Sequence, residues 1–168
     1  SPSEHLIVPL SGKDFEIKVG SEVKKLSGRK NVFTGPTDVL YIPINTEFSI
    51  SGAGRIGIAQ APAKNAKPIQ YLSPKDYPVV LRGAGAETRQ VHDFGGIDAL
   101  NADRFIVVEV IVPSGNWSGS PAHKHDTYIP GVESNLEEIY YFESAPARGC
   151  DSHTTVAPIG YIRGPSSD

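Results

Sequence analysis

The chain has 168 residues, a formal net charge of −3 and 39% hydrophobic residues, enough for one core or two small ones. Its single cysteine, Cys150, excludes an internal disulfide, and no apolar run of about 18 residues offers a membrane-spanning helix. The only basic concentration lies at residues 24–30, which argues against nucleic acid or a membrane surface as partner. Because the N-terminus lacks the pattern of a signal peptide, we expect a cytoplasmic protein.

The first part of the chain has the pattern of strands separated by turns. We predict strands over His5–Leu10 and Asp14–Val19 around a turn at residues 11–13, and a strand over Val39–Ile44. Apolar residues alternate with polar ones on both sides of the sequence SGAG at residues 51–54, which predicts a hairpin. No window of helical length shows apolar residues at 3.6 spacing.

Residues 59–78 carry four prolines and are predicted to be a connector, not a central strand. A short strand follows at Val79–Leu81. The glycines of residues 82–96 do not form a dinucleotide-binding fingerprint, because no GxGxxG opens an amphipathic helix there. Phe105–Val112 is the strongest predicted strand, with apolar residues on both faces. Glu109 is expected at the point where other parts of the protein cover this strand least.

The stretch PAHKHDTYIPGVESNLEEIYYF carries a candidate metal site. His123 and His125 would lie on the same face of a strand, because side chains two residues apart point the same way. A second predicted strand, Leu136–Glu143, places Glu138 on an otherwise apolar face, whereas Glu137 lies on the face with acids at both ends. Two imidazoles and a buried carboxylate make a first-row divalent metal site, with Zn, Mn, Fe and Ni all acceptable.

Other interpretations of these histidines remain open. Two histidines at i and i+2 also occur by chance on surfaces, and Glu138 is what favours a metal site. His5 and His92 are isolated in the sequence and are expected to be surface or outer-shell residues. His153 is the one candidate for a fourth ligand within the chain.

The short strands and the HxH pattern followed by Glu resemble those of cupins, which are small double-sheet barrels. Several stretches in order narrow this resemblance: GRKNVFTGPTDVLYIP, RGAGAETRQV, VVEVIVPSGNWS, PAHKHD and LEEIYYF. Together they resemble the 5-deoxy-glucuronate isomerase (IolB) family of bacterial inositol breakdown, a relative of the 4-deoxy-L-threo-5-hexosulose-uronate ketol-isomerases. The similarity covers nearly the whole chain.

The resemblance implies an all-β cupin (double-stranded β-helix or jelly-roll) fold, arranged as a bicupin. Residues 1–96 would form an N-terminal domain without metal, and residues 97–168 the first part of a second, metal-binding domain. His123, His125 and Glu138 would be ligands, joined in the family by a His from a later strand. We therefore expect a C-terminally truncated chain with an incomplete second barrel, a fourth ligand beyond Asp168 and weak or absent activity.

The implied reaction converts 5-deoxy-D-glucuronate to 2-deoxy-5-keto-D-gluconate, so the partner would be a small sugar acid, and a homo-oligomer is expected. Glu138 and Tyr140 are the candidate catalytic residues, although the pattern favours a core aromatic role for Tyr140. Arg89 could bind the substrate carboxylate or pair with Glu87. Trp117 could line the sugar pocket or plug the barrel. A metal-dependent cupin dioxygenase and a non-catalytic sugar-binding cupin are the alternative functions.

Overall fold

Residues 2–119 and 124–146, which the computed structural model describes, fold mainly into β-strands with two short 3-10 turns. The strands are β1 (Ser3–Val19), β2 (Glu22–Arg29), β3 (Val39–Ile42), β4 (Phe48–Pro62), β5 (Gln70–Leu72), β6 (Val79–Arg82), β7 (Arg89–Gly95) and β8 (Val107–Ile111). The turns are Val32–Thr34 and Gly85–Glu87. Across these described residues, no helix is long and apolar enough to cross a membrane.

Two antiparallel sheets contain all eight strands. In the first sheet the order is β2-β1-β3-β5, and β4 pairs with the other edge of β1. The second sheet has the order β6-β7-β8. The 17-residue β1 therefore pairs with three strands, β2 and β3 on one side and β4 along most of the other. An all-β architecture is confirmed.

Two of the predicted turns are wrong. Residues 11–13 lie inside β1, and residues 51–54 lie inside β4, where the two strands pair with each other. The ladder between them has register shifts on either side of residues 11–13. These segments are bends within long strands, because the extra residues of a bulge curve a strand without ending it.

Glycines are needed at this bend because three strands approach closely there. A Cβ on Gly12 would collide with the carbonyl oxygen of Ala53, and a Cβ on Gly54 would collide with that of Ser11. The Phe15 ring, 2% exposed, packs against the same glycines. Gly12 has a φ of 106°, a conformation that L side chains rarely adopt. The glycines that pattern analysis assigned to turns thus allow close strand contact.

Other strand predictions agree with the structure. β3, β6 and β8 lie within one or two residues of the predicted strands. The connector differs in its first part, because β4 continues through Pro62. β5 forms inside the connector, but it lies at the edge of the first sheet, as expected for a proline-rich segment.

Two apolar cores hold the first unit together. Consecutive residues of β1 and β3 point to opposite faces, so the centre of the first sheet is buried on both sides. The shared core combines residues of both sheets and their loops: Leu6, Val8, Val39, Tyr41, Tyr77, Phe94 and Leu100. The arm core comes from β1, β2 and β3 alone and is flanked by β4: Ile7, Phe15, Ile17, Val19, Leu26, Leu40 and Ile42.

The chain divides into two compact units, Ser1–Ser118 and Gly119–Asp168. Both sheets belong to the first unit. The domain boundary predicted between residues 96 and 97 falls between β7 and β8, which are paired strands of one sheet. The division into a metal-free and a metal-binding cupin domain stays a prediction.

Candidate functional site

In the second unit, the chain doubles back between His125 and Glu138. The backbone N–H of Leu136 donates to the carbonyl oxygen of His125 at 2.8 Å. An isolated antiparallel bridge between Ile129 and Glu133 closes the turn between them. The segment carrying Glu138 therefore returns beside the segment carrying His125.

The predicted metal ligands are only partly within the described residues. His123 lies outside them, His125 is half-buried and Glu138 is exposed. Across residues 2–119 and 124–146, no group of three or more His, Cys, Asp or Glu side chains could hold a metal ion. The ligand set His123, His125 and Glu138 stays a prediction.

The strand predicted over residues 136–143 is wrong, because this segment has no regular secondary structure. Among the described residues no neighbouring strand pairs with it, so Glu138 faces solvent instead of an apolar interior. The predicted alternation of side chains nevertheless holds. Tyr140 donates its hydroxyl proton to Glu138 Oε1 at 2.5 Å and stacks on Phe142, with 5.8 Å between ring centroids.

The Tyr140 hydroxyl is a weak acid. Partial burial, together with the hydrogen bond to the Glu138 carboxylate, raises the pKa of Tyr140 to about 12. The phenol therefore keeps its proton near neutral pH and acts as a hydrogen-bond donor, not as a base. The two candidate catalytic residues, Glu138 and Tyr140, are thus in direct contact with each other, and Glu138 already accepts one hydrogen bond.

The two candidate substrate-binding residues lie in the first unit, and both donate hydrogen bonds to the Gly85–Glu87 turn. The Trp117 backbone N–H donates to the carbonyl oxygen of Ala86 at 2.8 Å, and its indole is 62% exposed. Arg89 Nη1 donates to the carbonyl oxygen of Glu87 at 3.1 Å, so the contact is with the Glu87 backbone and not its carboxylate. Asn116 Nδ2 adds a hydrogen bond to the Thr88 carbonyl at 2.8 Å. The Gly85–Glu87 turn therefore contacts both Arg89 and Trp117, and the sequence did not predict this proximity.

A buried charged cluster also lies in the first unit. Arg29, from β2, contacts both carboxylate oxygens of Glu109, from β8, at 2.7 and 2.5 Å. His92 Nδ1, from β7, lies 2.8 Å from Glu109 Oε1. Arg29 also donates to the carbonyl oxygens of Pro9 at 3.0 Å and Gly35 at 2.8 Å. The cluster ties the end of β2 and the bend of β1 to the second sheet.

This cluster does not follow from the sequence pattern. His92, expected to be a surface or outer-shell residue, is 1% exposed, and Arg29, one of the basic residues at 24–30, is 8% exposed. Burial would raise the pKa of Glu109, but hydrogen bonds from Arg29 and His92 outweigh it and lower that pKa. The available signal was Glu109 itself, because an acid within an apolar strand needs a buried cationic or donor partner.

Known proteins resemble this chain over most of its length. Residues 1–160 match the model of the KduI/IolB family. A 5-deoxy-glucuronate isomerase of Halalkalibacterium halodurans is 37% identical over 149 residues, covering 87% of this chain and 55% of that protein. The 5-deoxy-glucuronate isomerase of Bacillus licheniformis is 34% identical over 152 residues, covering 89% and 56%. The chain spans about half the length of these curated relatives.

A solved structure of a protein with a related name also has a similar fold. An IolB-like protein from Salmonella typhimurium LT2 superposes with a TM-score of 0.72 at 30% identity, covering 79% of this chain and 51% of that one. Together with the two antiparallel sheets around a shared core, this defines an all-β, cupin-like protein. The family match then makes the assignment specific. The chain belongs to the KduI/IolB family.

Proposed function

We propose that this chain is part of a metal-dependent aldose–ketose isomerase that converts 5-deoxy-D-glucuronate to 2-deoxy-5-keto-D-gluconate in inositol catabolism. The observation that carries the proposal is the Leu136–His125 backbone hydrogen bond of 2.8 Å, which returns the Glu138 segment beside the HxH segment. The relatives named 5-deoxy-glucuronate isomerase supply the substrate. A cytoplasmic setting, a homo-oligomer and a small sugar-acid partner belong to the same proposal.

The donor set fits a divalent metal. His123, His125 and Glu138 would hold it, since imidazole and carboxylate suit Zn, Mn, Fe and Ni alike. When bound, such an ion stabilises the negative charge that develops on the substrate oxygens as the carbonyl moves between neighbouring carbons. The solvent-accessible Glu138 carboxylate needs no change in burial to accept a ligand.

Tyr140 is proposed to manage a proton or a hydrogen bond on the substrate. Its hydroxyl is protonated near neutral pH, because its pKa is raised to about 12, and it points at the Glu138 carboxylate. A donor of this kind can stabilise an enediolate oxygen without giving up its proton completely. Its location two residues after Glu138 puts it next to the proposed metal ligand.

Arg89 and Trp117 are proposed to bind the sugar acid. A guanidinium recognises a carboxylate through two parallel N–H donors, and Arg89 uses Nη1 for the Glu87 carbonyl while remaining partly exposed. Trp117 exposes 62% of its surface, so its indole face is accessible to a sugar ring. Both residues are attached to the Gly85–Glu87 turn.

Metal content and turnover of the purified chain test this proposal together. We expect His125→Ala and Glu138→Gln to lose bound Zn²⁺ or Mn²⁺, measured by elemental analysis after dialysis against the metal. Glu137→Gln, which changes the neighbouring acid, is the matched control and should bind as wild type. Any turnover of 5-deoxy-D-glucuronate that the chain shows should fall by a factor of about 10² or more with the metal.

Unchanged metal content in both ligand variants would overturn the metal site. Sugar binding that persists in variants without bound metal would favour a non-catalytic cupin. Oxygen uptake that depends on Fe(II) and substrate would favour a dioxygenase. Each of these outcomes contradicts the isomerase.

A further inference from the structure

The contacts that attach the second sheet differ from the contacts that form the arm core. The arm core consists only of residues from β1, β2 and β3, with flanking residues of β4. The shared core needs Phe94 of β7 and Leu100 from the loop that follows. Loss of the second sheet would therefore leave the arm core complete. Local openings of this kind are the usual origin of non-uniform stability within a fold.

The charged cluster spans the junction between the two sheets. The Arg29 side chain is 4% exposed and that of Glu109 15% exposed, so the pair is largely removed from solvent. Arg29 is fixed on the first sheet by the Pro9 and Gly35 carbonyls, and Glu109 is fixed on the second by its neighbour across the ladder, His92. A buried ion pair that loses one charge leaves the other without compensation.

We propose that Arg29, Glu109 and His92 form an acid-sensitive clamp between the sheets, and that protonation of Glu109 releases the second sheet while the arm core stays folded. This inference is independent of the proposed function, because it concerns residues of the first unit alone.

The charges around Glu109 determine the direction of the effect. Arg29 faces it from β2 and His92 from β7, while Tyr77 and Asp38 belong to the same buried surroundings. Arg29 supplies the positive charge that faces the Glu109 carboxylate. Burial raises the pKa of Tyr77 to about 12, so its phenol stays neutral. Asp38 is held by the backbone N–H groups of Ser27 and Gly28, at 2.6 and 3.1 Å. Glu109 is thus the group of the clamp whose charge is lost on acidification.

His92 supports the ionised form of Glu109. With Glu109 as acceptor, the proton of the imidazole lies on Nδ1. Nε2 is buried and has no hydrogen-bond partner among the described residues. The contact of His92 with the carboxylate is therefore made through Nδ1 alone, and it orients Glu109 toward Arg29.

The pH range follows from the lowered pKa of Glu109. A carboxyl whose pKa is lower in the folded state stabilises that state above its unfolded value, 4.5, and the contribution is lost as pH falls through the folded value. One proton gives a change of about tenfold per pH unit in the opening equilibrium. The clamp is therefore closed at neutral pH and opens in the acidic range below 4.5.

Hydrogen exchange followed by mass spectrometry tests the clamp on the full chain. Exchange would be measured at pH 7 and at steps down to pH 3, with each rate divided by the intrinsic rate for that pH. We expect peptides from residues 79–111 to lose protection as the pH falls below 4.5, by at most about tenfold per pH unit, before peptides from residues 15–26 do. In Glu109→Gln, residues 79–111 should already exchange quickly at pH 7 and respond little to acid.

Two further variants keep the test decisive. Glu22→Gln removes an exposed carboxylate paired with Lys24 and should retain the wild-type acid response. Arg29→Lys keeps the positive charge but loses the forked contact with Glu109, so residues 79–111 should open partly at pH 7 even if Glu109→Gln does not fold. Equal loss of protection in both sets of peptides on acidification would overturn the proposal. So would a wild-type acid response in Glu109→Gln.

Discussion

The fully buried carboxylate of Glu4 accepts a hydrogen bond from the Tyr41 hydroxyl at 2.6 Å. Three successive backbone N–H groups, those of Asp103, Arg104 and Phe105, donate to the same carboxylate at 2.8, 2.8 and 3.1 Å. Successive amides that converge on one anion form a nest. Glu4 therefore joins the start of the first sheet to the segment that enters β8.

Replacing Glu4 with Gln should destabilise the first unit substantially. The amide has one carbonyl oxygen where the carboxylate has two, so at least one buried donor loses its acceptor and the remaining bonds lose their charge. We expect the free energy of unfolding to fall by about 2 to 3 kcal/mol in urea at pH 7. Glu22→Gln, at an exposed ion pair with Lys24, should change the free energy of unfolding much less. Equal effects of the two variants would contradict the buried nest.

Alanine substitution should destabilise two glycines with positive φ to different extents: Gly12, at the bend of β1, and Gly20, just after β1. Gly12→Ala would place a methyl group against the carbonyl oxygen of Ala53. Gly20, with a φ of 60°, has nothing within 4 Å of its Cβ position, so Gly20→Ala should cost only about 1 kcal/mol for the backbone conformation. Gly12→Ala should cost at least about 2 kcal/mol more, or prevent folding. Thermal unfolding of both variants measures the difference, and similar melting temperatures would count against the close strand contact.

The contact between Glu138 and Tyr140 predicts a shift in a tyrosine titration. In Glu138→Gln the charged acceptor is gone, so the pKa of Tyr140 should fall from about 12 toward its ordinary value of 10.0. The phenol then loses its proton at lower pH, which NMR of ring-labelled tyrosine detects. Glu143→Gln, which removes the negative charge of the acceptor of the Tyr141 hydroxyl, should leave Tyr140 unchanged. A Tyr140 titration that is the same in Glu138→Gln and wild type would refute the contact.

Local patterns predicted the strands whose signal lies within the strand itself. An apolar run on both faces predicted the strand that the structure shows as β8. The prolines around β5 predicted that this segment would not be a central strand, and β5 lies at a sheet edge. The family resemblance, carried by several separate stretches in order, is confirmed by the family match and the similar fold.

What the sequence did not predict depends on residues far apart in the chain. Gly12 has the signal of a turn, and only the packing of Phe15 and Ala53 around it shows that it lies inside a bent strand. Arg29 and Glu109 are 80 residues apart, and nothing near either of them indicates the other. The expected burial of Glu138 required a neighbouring strand, which the described residues do not supply.

The long pairing of β1 with β4 has a consequence for how the protein is made. Ser3 pairs with Pro62 and Val19 with Phe48, so the sequence separation between paired residues grows toward the start of β1. During synthesis, residues at the start of β1 are made nearly sixty residues before their partners in β4. Contacts so distant in sequence slow folding, and the unpaired edge of β1 is open to association with other chains in the meantime. The start of β1 is therefore expected to be among the last parts of this ladder to become protected.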